Sequence, residues 1–155
     1  MRTSKPYAEL APGAYQGLMT IYRYTRACGL DLGLLHLVEL RASQLNGCIY
    51  CMDMHATEAL QNGESPRRLH ALAGWREAPF FTARERAALA WTEALTELGR
   101  HAVSDELYKT TGKEFTEQEM VDLSFAITLI NAWNRVGVAF QPDLPDVDSA
   151  KEATA

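Results

Sequence analysis

Asn46-Gly47-Cys48-Ile49-Tyr50-Cys51-Met52-Asp53-Met54-His55 carries two of the chain's three cysteines and sits between two apolar stretches. Asn46-Gly47 is a signal that ends or bends a helix. Before it, Asp31 is a candidate N-cap for a helix through Leu34, Leu35, Leu37, Val38, Leu40 and Leu45. After it, the residues predict a helix from Cys48 to about Gln61, closed by Asn62-Gly63. On that helix Cys48 and Cys51 are i,i+3 neighbours, and Cys51 and His55 are i,i+4 neighbours. Two thiols and an imidazole then share one face. A helix start at Gly47 would favour a thiolate at Cys48, whereas an adjacent imidazole favours one at Cys51.

The same punctuation continues outward. Prolines 6, 12, 142 and 145 stand near the ends, and only Pro66 and Pro79 lie between, so long uninterrupted helices are expected. One runs from about Gly13 to Ala27 and stops before Gly29. Ser65-Pro66 opens a short helix through Leu69 and Leu72. Thr82-x-x-Glu85 is a capping box for a helix through Ala87, Leu89, Trp91 and Leu95, with Gly99 as its stop. Ser104 can cap a short helix through Leu107 and Tyr108. Thr116-x-x-Glu119 opens the longest apolar helix, to about Phe140, whose apolar residues cover more than one face. No strand alternation competes, so the fold class is all-α. The chain reads as a single domain over 1–155, with a helical core at about 13–140 and a loosely ordered tail at 141–155.

A formal charge of −5 with 47% hydrophobic and 23% charged residues is ordinary for a globular protein and disfavours nucleic acid or anionic membranes as partners. No apolar run approaches the roughly 20 residues that span a bilayer. Met1 to Tyr7 lead into no signal-peptide core, so a cytoplasmic location is expected. There a C-x-x-C pair is redox-active or metal-binding more often than a static staple. Cys28, in an apolar-aromatic stretch, reads as a small buried hydrophobe.

Three readings of Cys48, Cys51 and His55 stand beside one another. In a redox dithiol, one thiolate attacks an oxidant and the other thiol condenses with the resulting sulfenic acid. A metal site would need a fourth ligand, from His36, an acid or a remote histidine. The bland reading is two packed thiols and a helical histidine. His36 and Glu39 lie twelve and nine residues before Cys48, on one helical face, and could orient His55 or carry its protons. Their bland readings are a histidine satisfied by a backbone carbonyl and a solvated charge paired with Arg41 or a neighbouring helix. Trp75, Trp91 and Trp133 read as core or interface anchors, and Met52 and Met54 as packing around the site. His70 and His101 read as surface residues near helix ends, and Asn131, Asn134 and Arg135 as partners for buried backbone or subunit contacts.

Leu40 through His55 resembles the active-site signature of the carboxymuconolactone decarboxylase/alkylhydroperoxidase AhpD-like superfamily. The likeness extends to Thr82–Ala94 and Ile130–Arg135, and covers roughly residues 15 to 140. It implies an all-helical fold, assembly into homo-oligomers such as trimers or hexamers, and sites near subunit contacts. It also implies an antioxidant peroxidase in which Cys51 attacks a small-molecule hydroperoxide, Cys48 resolves it and His55 relays protons. No metal, flavin or haem motif is visible. The cycle therefore needs no cofactor but an external reductant, a dithiol electron-donor protein or a small thiol.

This chain departs from the AhpD pattern at two positions. His36 stands where the relay glutamate is found, with Glu39 one turn later, and Tyr50 replaces a histidine before the second cysteine. The true lactone decarboxylases lack the C-x-x-C, which makes decarboxylation a distant expectation. The alternative from another class is a redox-sensing or metal-binding oligomeric stress-response module.

Overall fold

A computed structural model describes residues 1–100 and 103–145. The reading of His101, and that of the tail beyond Pro145, lie outside the described residues. Among the described residues there are helices and no strands: α1 (Tyr7–Leu10), α2 (Pro12–Ala27), α3 (Leu32–Asn46), α4 (Ile49–Gln61), α5 (Pro66–Ala71) with a 3-10 turn at Leu72–Gly74, α6 (Ala83–Thr96), α7 (Asp105–Thr111) and α8 (Glu117–Phe140).

Local side-chain chemistry sets most of the boundaries. The Asp31 carboxylate accepts from the Leu34 N–H at 2.9 Å and starts α3. Both capping boxes form: Thr82 N–H donates to Glu85 at 2.7 Å, and Thr116 N–H donates to Glu119 at 2.8 Å. Each such cap is worth about 0.5–2 kcal/mol. Gly47 ends α3 in the left-handed region at φ 67°, which a residue with a Cβ adopts only under strain.

Three local details differ from expectation. The four-residue α1 carries no periodicity that could announce it. Helix α6 ends at Thr96, before Gly99. Ser65 occupies the N-cap position of α5 without making a side-chain cap bond.

The central helix is α3, which packs against α4, α6 and α8. Every residue from Leu34 to Leu40 is buried. Leu34, Leu35 and Val38 meet Ala88 and Trp91 of α6 and Leu123 and Ile127 of α8 in one core cluster. Leu37 and Leu40 meet Ala59, Leu69, Trp75 and Leu89 in a second. Truncating a fully enclosed leucine such as Leu35 or Leu37 to alanine should cost about 2–5 kcal/mol.

Helix α8, expected to be buried on several sides, leaves Val121, Phe125 and Val138 exposed in the single chain. At 24 residues it is long and apolar enough to cross a membrane, contrary to the expectation that no run reaches that length. Its buried face is engaged by α2, α3 and α6 and carries Asp122, Asn131 and Asn134, as befits a core helix. The N-terminus lies across the end of α8, where Arg2 N–H donates to the Phe140 carbonyl at 2.9 Å. Tyr7 thereby reaches Tyr15, Trp133 and Phe140 at ring separations of 6.3–6.4 Å.

Candidate active site

The left-handed turn at Gly47 determines how the cysteines are presented. Helix α4 begins at Ile49, one residue later than expected, and Cys48 is its N-cap. The Cys48 sulfur accepts from the Cys51 backbone N–H at 3.4 Å, and the two residues are joined by a disulfide. Cys51 occupies the first turn of α4, where unpaired N–H groups and the helix dipole favour an anion. Cys51 thus lies both in the first turn of α4 and one turn before His55, the two positions that separately pointed to different cysteines.

Close approach of α8 completes the pair's surroundings. A Cβ on Gly137 would lie 2.7 Å from the Cys48 sulfur and 3.4 Å from that of Cys51. Only a glycine leaves that space free.

Cys51 lines a cavity of about 250 Å³; Cys48 is not among the lining residues. The lining combines Glu39, His55 and Glu58 with an aromatic and apolar set, Tyr7, Tyr15, Tyr22, Tyr50 and Trp133 with Met19, Met54, Leu129 and Ile130. Met52 packs instead into the second core cluster, so only Met54 of the two flanking methionines belongs to the site.

His55 is 3% exposed, and its Nδ1 lies 3.0 Å from Glu58 Oε2 and 3.3 Å from Glu39 Oε2. Ionised carboxylates only accept, so in a neutral imidazole the proton sits on Nδ1. Nε2 then presents its lone pair, and it is buried with no hydrogen-bond partner. The ring is oriented like that of a general base whose rear nitrogen is held by an acid.

Glu39 is not the solvated charge of the bland reading. It is 3% exposed, and Arg26 Nη2 donates to both its oxygens at 2.8 and 2.7 Å. Arg41 pairs with Glu93 instead, at 2.8 Å. Burial alone would raise the Glu39 pKa, but His36, His55 and Arg26 together outweigh it and hold the carboxyl below its ordinary 4.5. Glu58 is held low chiefly by its hydrogen bond with His55, against partial burial.

His36 meets no backbone carbonyl through Nδ1, which is buried and lacks a hydrogen-bond partner. It lies 3.7 Å from Oε2 of both Glu39 and Glu58. The fold thus brings His36, Glu39 and His55 together; Glu39 and His55 line the cavity with Cys51, and His36 stands behind them, outside the lining. Cys28 stays outside, half-buried, with its thiol donating to the Thr25 carbonyl at 3.1 Å.

Glu58 was missed in the sequence, although it follows His55 by three residues and so shares its helical face. Arg26 and Gly137 had no local signal, because each reaches the site from another helix.

The sequence profile of the Carboxymuconolactone decarboxylase family matches residues 12–94. Over 133 residues the chain is 36% identical to the uncharacterized protein YdfG of Bacillus subtilis strain 168, covering 86% of this chain and 90% of that one. A crystal structure from Agrobacterium tumefaciens, of a protein of unknown function described as a candidate antioxidant defence protein AhpD, aligns with a TM-score of 0.89 and 36% identity. That alignment covers 94% of this chain and 98% of the other. Apo debrominase Bmp8 shares the fold at a TM-score of 0.80 and 18% identity, over 92% of this chain and 76% of its own. The family profile runs through the cysteine segment, and relatives match more than a third of positions along nearly their whole length; the chain belongs to the carboxymuconolactone decarboxylase/AhpD-like superfamily.

Proposed function

We propose that the protein is an AhpD-like thiol peroxidase that reduces organic hydroperoxides through Cys48 and Cys51. The observation that carries this reading is the placement of Cys51 at the cavity wall, one helical turn before an imidazole whose Nδ1 is held by two carboxylates and whose Nε2 is free. In the reduced protein His55 Nε2 takes the Cys51 proton, and the first turn of α4 stabilises the thiolate.

The thiolate attacks the distal peroxide oxygen, the O–O bond breaks, and the leaving alkoxide takes the proton back from His55 as an alcohol. Cys51 is now a sulfenic acid. The Cys48 thiol displaces its hydroxyl as water and forms the disulfide. An external dithiol then reduces that disulfide by exchange and is itself oxidised. Pre-positioning of the second thiol makes the resolving step intramolecular, which limits over-oxidation.

The aromatic and methionine walls support an organic peroxide with an apolar body over hydrogen peroxide, since they give such a body surface to bury. A cytoplasmic setting and assembly into a homo-oligomer belong to the same reading.

The test is consumption of cumene hydroperoxide with dithiothreitol as reductant, beside titration of free thiols. Wild type should lose both motif thiols to peroxide and regain them with reductant. Cys51→Ser should abolish turnover with the helical circular dichroism unchanged, and Cys48→Ser should accumulate a sulfenic acid that dimedone traps. Undiminished turnover in Cys51→Ser would sink the mechanism.

A further inference from the structure

His36, Glu39, His55 and Glu58 converge more closely than a proton relay requires. Their ligand atoms all lie within 4.8 Å of one another. The four histidine-to-carboxylate separations, from each Nδ1 to each Oε2, are 3.0, 3.3, 3.7 and 3.7 Å. A tetrahedral zinc ion with bonds of about 2.0–2.1 Å holds its ligands about 3.3 Å apart.

Hydrogen bonding accounts for the His55 half of the cluster and not for the His36 half. His36 Nδ1 is buried, aimed at both carboxylates, and too far from either to share a proton with it. Its side chain is 10% exposed, so bulk water does not satisfy it. Among the described residues, the one guanidinium paired with these two carboxylates is that of Arg26, which bonds Glu39. Arg26 also supplies what a ligating carboxylate ordinarily has, an outer hydrogen-bond donor that fixes its orientation.

We propose that these four side chains bind one divalent transition-metal ion of the zinc class, and that its occupancy switches off the thiol site. The second half rests on the peroxidase reading. An ion bound to His55 Nδ1 moves the ring proton to Nε2. Nε2 then has no lone pair, and the Cys51 proton has no acceptor. The ion is a regulator that competes with the relay and takes no part in the dithiol cycle.

The metal half is tested with the oxidised protein, whose cysteines are tied up and cannot ligate. Chelator-stripped protein is loaded with zinc chloride, desalted and assayed for metal. About one zinc per chain is expected in oxidised wild type and in the Cys48→Ser/Cys51→Ser double variant. His36→Ala and Glu58→Gln should each lose it, and Glu58→Gln, on the solvent side, remains usable if the buried change impairs folding. Cobalt in place of zinc should show visible ligand-field bands without a thiolate charge-transfer band. No retained metal in the oxidised protein, or retention indifferent to both single variants, overturns the site.

These outcomes need no peroxidase activity, so they stand apart from failure of the functional reading. For the switch, zinc should slow wild-type peroxide consumption about a hundredfold or more, the contribution of a general base. His36→Ala should keep its own zinc-free rate when zinc is added. Zinc bound by wild type with no change in rate overturns the switch.

Discussion

Two polar clusters interrupt the apolar packing of α3, and they differ in whether their hydrogen bonds are complete. Near its C-terminal end, Asn46 Nδ2 donates to Oδ1 of Asn131 at 3.0 Å and of Asn134 at 2.9 Å. Asn134 Nδ2 donates to the Ser43 hydroxyl at 3.0 Å, and that hydroxyl donates to the Glu39 carbonyl at 2.7 Å. Asn131 Nδ2 donates to Thr96 and to the Ile127 carbonyl, both at 2.9 Å. The cluster ties α3 to α8 and leaves none of its buried side-chain atoms unpaired. About two turns earlier on α3, His36 and Glu39 meet His55 of α4 and are buried too, yet His36 Nδ1, His55 Nε2 and Arg26 Nη1 have no partner.

An unpaired buried polar atom costs about 1–3 kcal/mol, so a fold that keeps three together retains them for something other than stability. The completed cluster positions helices. The incomplete one has capacity left for a proton, a substrate or an ion.

The sharpest break of this contrast is His55→Gln. It should lower kcat/KM for hydroperoxide by about 10²–10⁴-fold, or about 3–5 kcal/mol, while moving the urea midpoint little. A stability loss as large as the activity loss would place His55 with the structural cluster. The converse substitution, Asn134→Leu, strands Asn46 and Ser43. It should cost about 2–4 kcal/mol in urea unfolding and leave the rate per folded molecule within about threefold.

Gly137→Ala probes the boundary between the two clusters. Its Cβ would press on the Cys48 sulfur, and about 1–3 kcal/mol of overpacking is expected by denaturation. Thiol–disulfide cycling should slow with it.

The smallest effect is in acid. Glu39 and Glu58 have folded pKa values below the ordinary 4.5, so the unfolded chain takes up their protons first as pH falls. Their stabilisation is complete above about 4.5 and is lost as pH drops through the folded values. Urea unfolding from pH 6 down to pH 3 should show this loss, and Glu58→Gln should make it shallower. An unchanged acid limb in that variant would mean Glu58 is not held low.

Several of these residues could be read before folding and others could not. Asp31, Thr82 and Thr116 announced their helices because a cap bonds a backbone group two or three residues away. His36 and Glu39 could be placed on one face, and Cys51 and His55 on another, from helical spacing alone. Glu58 was legible by the same rule and was overlooked as one acid among many. Arg26 was not legible, since nothing thirteen residues away on a different helix marks it as the partner of Glu39. The solvated reading of Glu39 failed for that reason. Met52 and Met54 both follow Cys51 within one turn, and only packing against α5 and its turn distinguishes the one that turns away.

By itself the amino-acid order determined an all-helical chain, two thiols three residues apart, and an imidazole one turn beyond. Those follow from hydrogen bonds and side-chain neighbours that span at most four residues. Tertiary structure alone decided that Cys51 rather than Cys48 faces the cavity, and that His55 offers Nε2. It also decided that two histidines and two carboxylates meet around one point. Those outcomes depend on how closely α2, α4 and α8 approach α3, and that distance is set by side-chain volumes far apart in the chain, with Gly137 as the smallest of them.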